Sequence, residues 1–182
     1  MNITLIAGTN RANSRTGRVT RRIQERFEHH GVSTTLLDLV DLPVALLSPE
    51  AYDETPRGFL PFSDAVLSSD GLYVVAPEYN GSYPGALKLF IDHLPFPESF
   101  EQRPVAFTGI ASGVFGNIRG IEQLQMVFGY RNAHIFPRRI FISGASRNLD
   151  EEGRLTDAKA ASRLEQQIVD YIAFISCLQG KS

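Results

Sequence analysis

The chain has 182 residues, 43% of them hydrophobic and 21% charged, with a formal net charge of -2. That is the profile of one soluble globular domain, and its near-neutral charge gives no general argument for nucleic acid or a membrane surface as a partner. A single cysteine, Cys177, excludes a disulfide framework and a cysteine-rich metal site, and its apolar surroundings make it an expected small buried hydrophobe.

The chain opens on the apolar run Ile3 to Ala7, a first strand. It lacks a basic leader and an apolar signal core, so a cytoplasmic location is expected. No run approaches the ~18 apolar residues of a membrane span. After a polar loop, a helix is predicted from about Thr16 to His30, with Val19, Ile23 and Phe27 four apart and Gly31 as its stop. Thr34 to Leu39 reads as a second strand. The connection Val40 to Arg57 carries Pro43, Pro49 and Pro56, which argue against regular structure. A helix over Gly58 to Ser69 leads to a third strand, Leu72 to Ala76. The next helix starts near Pro84 and puts Leu87, Phe90, Ile91 and Leu94 on one face.

Pro104 to Ile110 is the fourth strand. A helix over about Phe115 to Tyr130 turns Ile118, Ile121, Leu124 and Phe128 inward, and a fifth strand ends in Ile140-Phe141-Ile142. The last helix, from Thr156, carries Leu164, Ile168, Tyr171, Ile175 and Leu178 at helical spacing. Five strand–helix units predict one α/β domain over residues 1–182, a doubly wound five-stranded parallel sheet with helices on both faces. Six arginines gather between Arg11 and Arg26; most read as a solvated helix face, whereas Arg11 and Arg15 precede the helix in the polar loop.

Three strand-to-helix loops carry the chemistry. The first, Gly8 to Thr16, lies where a helix N-terminus presents free N–H groups, with hydroxyls on Thr9, Ser14 and Thr16 and a guanidinium on Arg11 suited to phosphate. It holds neither Gly-x-Gly-x-x-Gly nor a Gly-Lys-Ser/Thr triplet, and Ser14 or Thr16 could simply cap the helix. The second, Pro77-Glu78-Tyr79-Asn80-Gly81-Ser82-Tyr83-Pro84, offers backbone N–H groups, a ring and an amide together, with Asn80-Gly81 supplying positive φ. The third, Ala111 to Asn117, has Gly113 and Gly116 for close backbone approach and Ser112 as a donor, or is an ordinary turn. These loops follow strands one, three and four. In the flavodoxin-like order 2-1-3-4-5 those strands are neighbours around the switch point, so the loops surround one pocket, best matched by FMN.

The chain resembles the NADPH-dependent FMN reductase family of flavodoxin-like quinone, azo-dye and chromate reductases. Its motif Gly-Ser-x-Arg-x-x-Ser-x-Asn appears as Gly8 to Thr16, its motif Pro-Glu-Tyr-Asn-x-Ser-x-Pro-Gly-x-Leu-Lys is matched in full by Pro77 to Lys88, and Ser-x-Gly-x-x-Gly-Gly appears, one position shorter, as Ser112 to Asn117 with Asn in the final place. The resemblance implies that Thr9, Arg11, Ser14 and Thr16 hold the FMN phosphate. It implies that Pro77, Glu78, Tyr79 and Asn80 line the isoalloxazine and ribityl, and that Ser112 and Gly113 approach the ring. Gly116 is included with them, and Arg15 is a second arginine, with Arg11, for the phosphates of FMN or of NADPH. Asn117, in the place of a glycine, is expected to narrow the entrance or alter contact with the ring. Self-association as a homodimer or homotetramer is implied in the same way.

The expected activity is FMN-dependent hydride transfer from NADPH or NADH to a small acceptor such as a quinone, azo compound, chromate or free flavin, in a ping-pong cycle without a catalytic side chain. The scattered histidines (His29, His30, His93 and His134) have no metal-ligand spacing. Glu78 is expected to orient its loop rather than transfer a proton. Two rivals are a one-electron carrier and a flavin-free dimer that serves protein interaction.

Overall fold

The structure, a computed structural model, describes residues 1–180. Strand β3 (Gly71–Pro77) is buried at every position. A central parallel strand covered on both faces requires this, and its sequence is accordingly a continuous apolar run. Leu72, Val74 and Ala76 point to one face, Tyr73 and Val75 to the other. β1 (Asn2–Ala7) pairs with β3 on one side and with β2 (Ser33–Asp38) on the other; β4 (Pro104–Ile110) pairs with β3 across its far edge, and every pairing is parallel. The strand order is 2-1-3-4-5, flavodoxin-like as expected, with the order reversing between β1 and β3.

The fifth position is a broken strand. β5 (His134–Ile135) pairs with Pro104 and Val105, and β6 (Ile140–Ile142) pairs with Thr108 to Ile110. Pro137 lies between them and has no N–H for the ladder, so one expected strand becomes two.

Helices α1 (Arg15–His29) and α6 (Ala158–Leu178) cover one face. There Val19, Ile23, Phe27, Ile168, Tyr171 and Ile175 join Ile3, Leu5, Tyr73 and Val75. α2 (Leu60–Leu67), α3 (Gly85–His93) and α4 (Ile118–Tyr130) cover the other with Phe62, Phe90, Leu124 and Phe128. Each such side chain, once fully buried, stabilises the fold by about 1.5–3 kcal/mol. The proline-bearing connection forms short 3-10 turns, and the short helix α5 (Ala145–Asn148) follows β6.

Some boundaries differ from expectation. α4 starts at Ile118, not Phe115, because Gly116 and Asn117 have φ of 58° and 70°, outside the right-handed helix. α6 starts at Ala158, where the Asp157 carboxylate accepts from the N–H groups of Lys159 and Ala160. Cys177 is exposed rather than buried, and so is Leu178. A Cβ on Gly71, the first residue of β3, would already meet Ile175, so the next turn of α6 outruns the sheet.

α1 and α6 are also joined by charge. Arg26 Nε donates to Glu165 Oε2 at 2.7 Å, and His30 Nε2 lies 2.7 Å from Glu165 Oε1. The Arg26 hydrogen bond, and then that of His30, hold the Glu165 carboxyl down at about 2 against the opposing effect of desolvation. A depressed carboxyl contributes stability above its ordinary range and loses it as pH falls through the folded value, here between about pH 4.5 and about 2. Glu165→Gln is therefore expected to flatten the acid limb of the stability curve over that window. At neutral pH it costs at most about 1 kcal/mol, since both partners are partly exposed and screened. Urea unfolding of both proteins between pH 6 and pH 2 checks this; parallel curves would refute it.

Candidate flavin-binding site

Chain geometry at the carboxyl ends of β1, β3 and β4 builds the site. Gly8 N–H donates to the Val75 carbonyl at 2.8 Å, so the chain leaves β1 pressed against β3. A Cβ on Gly8 would come within 2.9 Å of that carbonyl and 3.0 Å of Leu87 Cδ2, which is why glycine stands there. The loop turns back through Asn13 at φ 55°, and Ser14 caps α1 by accepting from Gly17 N–H at 2.9 Å. The N–H groups of Ser14, Arg15 and Thr16 donate to no group among the described residues, as the first turn of a helix dictates.

The second loop is held in place at three points. Glu78 N–H donates to the Ile110 carbonyl at 2.9 Å, fixing the exit from β3 against β4. Tyr79 and Ser82 exchange N–H···O bonds of 2.9 and 3.1 Å around Asn80 and Gly81, with φ of 53° and 75°: the tight turn expected of Asn-Gly. The Tyr79 hydroxyl shares a 2.6 Å hydrogen bond with Thr9 Oγ1, which also accepts from Arg11 N–H at 3.2 Å. The third loop is tied to the strand beyond it: Ala111 N–H donates to the Ile142 carbonyl and Gly144 N–H to the Gly113 carbonyl.

A cavity of about 320 Å³ opens between these loops, within the range of small-molecule sites. Arg11, Ser14, Arg15, Thr16, Pro77, Glu78, Tyr79 and Ser112 all line it. The other expected residues do not. Thr9 is fully buried beneath the loop with its hydroxyl committed to Tyr79 and Arg11, so it couples the first two loops. Asn80 stands exposed at the turn tip. Gly113 is exposed outside the lining, and Gly116 is buried where a Cβ would meet Phe141 at 2.9 Å.

Arg15 opens α1 instead of preceding it, and Arg18, expected on a solvated face, is half-buried and lines the cavity. The signal for Arg18 was its spacing: four residues after the Ser14 cap, it projects back over the loop. Ala145 of α5 closes the cavity's far side; no loop motif pointed to it.

Asn117 does not narrow an entrance. It is fully buried, and its Nδ2 donates to the Ala76 carbonyl at 2.9 Å, tying the start of α4 to the end of β3. Asparagine is the side chain best tolerated at positive φ after glycine, which explains the exchange at this position.

The donor set fits the phosphate and ring of FMN. At one end of the cavity stand the free N–H groups of α1 and the guanidinium groups of Arg11 and Arg15, neither of which makes an ion pair among the described residues. Pro77, Ile110, Ala111 and Ala145 add apolar surface beside Glu78, Tyr79 and Ser112, in a wall that is polar for the most part. A larger cavity, about 490 Å³, lies between α1 and α6, away from the strand ends, and its Arg22, Arg26 and Glu165 already pair within the chain. Among the described residues no cluster of three or more His, Cys, Asp or Glu could hold a metal ion. No helix there is long and apolar enough to cross a membrane.

Comparison with known proteins gives the same direction. The sequence profile of the NADPH-dependent FMN reductase family matches residues 1–147. An NAD(P)H-dependent FMN reductase of Pseudomonas aeruginosa is 31% identical over 157 residues, 82% of each chain. An FMN-dependent NADPH-azoreductase of Staphylococcus aureus is 24% identical over 178 residues, 94% of each. Among solved structures, a flavoenzyme NAD(P)H:(acceptor) oxidoreductase from Paracoccus denitrificans superposes with a TM-score of 0.82 at 24% identity, over 97% of both chains. Oxidised flavodoxin 1 from Bacillus cereus superposes at 0.61 with 11% identity, over 95% of this chain and 98% of its own. At these identities the two superpositions establish the fold.

Proposed function

The chain belongs to the NADPH-dependent FMN reductase family, and from that premise we propose that it is an FMN-dependent NAD(P)H oxidoreductase acting on a small acceptor. The observation that carries the reading is the single cavity into which the first, second and third loops converge at the β1/β3 switch point. FMN, when bound, supplies the two-electron chemistry between nicotinamide and acceptor.

The chain's own part is to hold and orient. The N–H groups of Ser14, Arg15 and Thr16, with Arg11 and Arg15, hold the phosphate. Pro77, Glu78 and Tyr79 lie along the ring and ribityl, and Ser112 approaches from the β4 side. The Thr9–Tyr79 hydrogen bond keeps the phosphate and ring loops in one register. Glu78 belongs to the loop's geometry, its N–H spent on the Ile110 carbonyl. A ping-pong cycle, with reductant and acceptor using the same cavity in turn, belongs to this proposal. Quinones, azo compounds, chromate and free flavin are the acceptors that suit such a face.

Self-association goes with this reading. Met126 and Tyr130 of α4 are 68% and 85% exposed, and Phe96, beyond α3 and beneath the Arg131 guanidinium, is 70% exposed; this is the face we assign to a second copy. Sedimentation of the purified protein at micromolar concentration as a single 20.2 kDa species would remove that part.

The deciding experiment is an absorbance spectrum of the purified protein, reconstituted with FMN if colourless, before and after anaerobic NADPH. Flavin bands that bleach on reduction, then return on adding a quinone, are expected. A protein that takes up no FMN is not this enzyme.

A further inference from the structure

Arg18 stands out among the cavity residues because its guanidinium grips main chain and meets no carboxylate among the described residues. Nη2 donates to the Asn13 carbonyl at 3.1 Å, Nε reaches the Ser14 carbonyl at 3.5 Å, and Nη1 donates to the Glu151 carbonyl at 2.7 Å. The first two acceptors belong to the loop that carries the free N–H groups. The third belongs to a strap, residues 149–155, that lies beyond the 147 residues matched by the family profile.

The strap is itself closely built. Leu149 and Leu155 form an antiparallel bridge, and Asp150 Oδ1 accepts from the N–H groups of Glu152 and Arg154 at 3.0 and 2.8 Å. One turn along α1, Arg22 Nε donates to the Glu152 carbonyl at 3.1 Å. Gly153 rests on α1 so closely that a Cβ there would come within 2.8 Å of Arg18 C and Cβ, and its φ of 86° disfavours any side chain.

What the grip does follows from peptide planarity. In a trans peptide the C=O and the next N–H point to opposite sides of one plane. Fixing the Asn13 carbonyl therefore fixes the direction of Ser14 N–H; the Ser14 carbonyl, which sets Arg15 N–H, already accepts from Arg18 N–H at 3.3 Å, and Nε adds to that hold. Asn13 itself sits at φ 55°, which asparagine tolerates, so the grip on its carbonyl adds to a local preference.

We propose that Arg18 is the positioning residue of this loop, and that the 149–155 strap, acting through Arg18, preorganises the loop's N–H groups for phosphate. This rests on the reading that the first loop takes the phosphate of FMN. Two variants separate position from charge. Arg18→Lys keeps the charge but has no planar fork to span two carbonyls. Gly153→Ala substitutes no cavity-lining residue; its Cβ pushes against Arg18 C and Cβ, so the strap is lifted off α1.

Flavin-fluorescence titration of the ligand-free protein with FMN and with riboflavin, which lacks the phosphate, gives the readout. Both variants are expected to bind FMN about tenfold more weakly, as the loss of one charged hydrogen bond implies, while riboflavin affinity stays within about twofold. Hydrogen exchange at Gly17 and residue 18, whose N–H groups donate to Ser14, is expected to quicken in both when measured without ligand. Arg18→Lys with unchanged FMN affinity and exchange would overturn the proposal, as would a normal Gly153→Ala, even if wild type strongly prefers FMN. A wild type that binds FMN no better than riboflavin overturns the phosphate reading and the proposal with it. Should Gly153→Ala fail to fold, Arg18→Lys decides alone.

Discussion

Gly120→Ala is expected to destabilise the protein by about 2 kcal/mol and to weaken FMN uptake, although alanine is the better helix former. Propensity alone favours the change by about 1 kcal/mol inside a helix. Packing opposes it more strongly. A Cβ at this position of α4 would overlap Asn117 Oδ1 and come within 2.8 Å of Ser82 C and Tyr83 N. The last two are backbone of the ring loop and cannot swing aside as a side chain does; overpacking of this kind costs about 1–3 kcal/mol, and more where the neighbour is rigid. Relief comes only if α4 moves off the second loop, which would open the wall beside Tyr79. Chemical denaturation and FMN titration of the same variant check both halves. A variant as stable as wild type or more so, with unchanged FMN affinity, would mean that helix and loop are not in the contact described. Adding Asn117→Gly removes one of the three obstacles, so the double variant is expected to recover only part of the loss.

The fold was legible because its signals are local and repeated. Val19, Ile23 and Phe27 at helical spacing, the unbroken apolar run of β3 and the Gly31 stop each specify an element without reference to the rest of the chain. The Asn80-Gly81 turn was legible for the same reason: two residues needing positive φ lie between partners that can exchange hydrogen bonds. The broken fifth strand was not, because Pro137 interrupts a ladder whose partner, β4, lies some thirty residues earlier in the chain.

The site was legible as a place and less so as a set of roles. A hydroxyl such as that of Thr9 reads alike whether it faces a ligand or a neighbouring Tyr79, and only the fold decides. Burial explains the misreading of Cys177 too, since helical spacing says which side of α6 a residue occupies but not where the sheet beneath it ends. Gly120 did leave a trace. A glycine inside a helix costs stability unless something approaches closely, and here the ring loop does.

Asn117→Asp is expected to be severe at neutral pH and mild in acid. The Asn117 side chain is fully buried; its Nδ2 donates to the Ala76 carbonyl, and its Oδ1 has no partner among the described residues. An ionised aspartate would set an oxygen against the Ala76 carbonyl without a donor between them, at a position buried from solvent. The carboxyl would instead stay protonated, its O–H replacing the lost donor, so its folded pKa would rise well above the unfolded value of about 4. A raised carboxyl keeps its stability contribution below the unfolded pKa and loses it as pH climbs toward the folded one, at about 1.4 kcal/mol per pH unit. By pH 7 the loss would reach about 3–4 kcal/mol, a large part of an ordinary domain's stability. Asn117→Gly behaves differently. It tolerates the φ of 70°, removes the unpaired Oδ1 together with the one hydrogen bond, and is expected to stay within about 1 kcal/mol of wild type at either pH. Urea unfolding at pH 4.5 and pH 7 separates the cases: an aspartate variant equally stable at both would show that residue 117 is reached by water. The expected pattern would instead make this side chain the joint between the end of β3 and the start of α4, and so between the second and third loops of the candidate site.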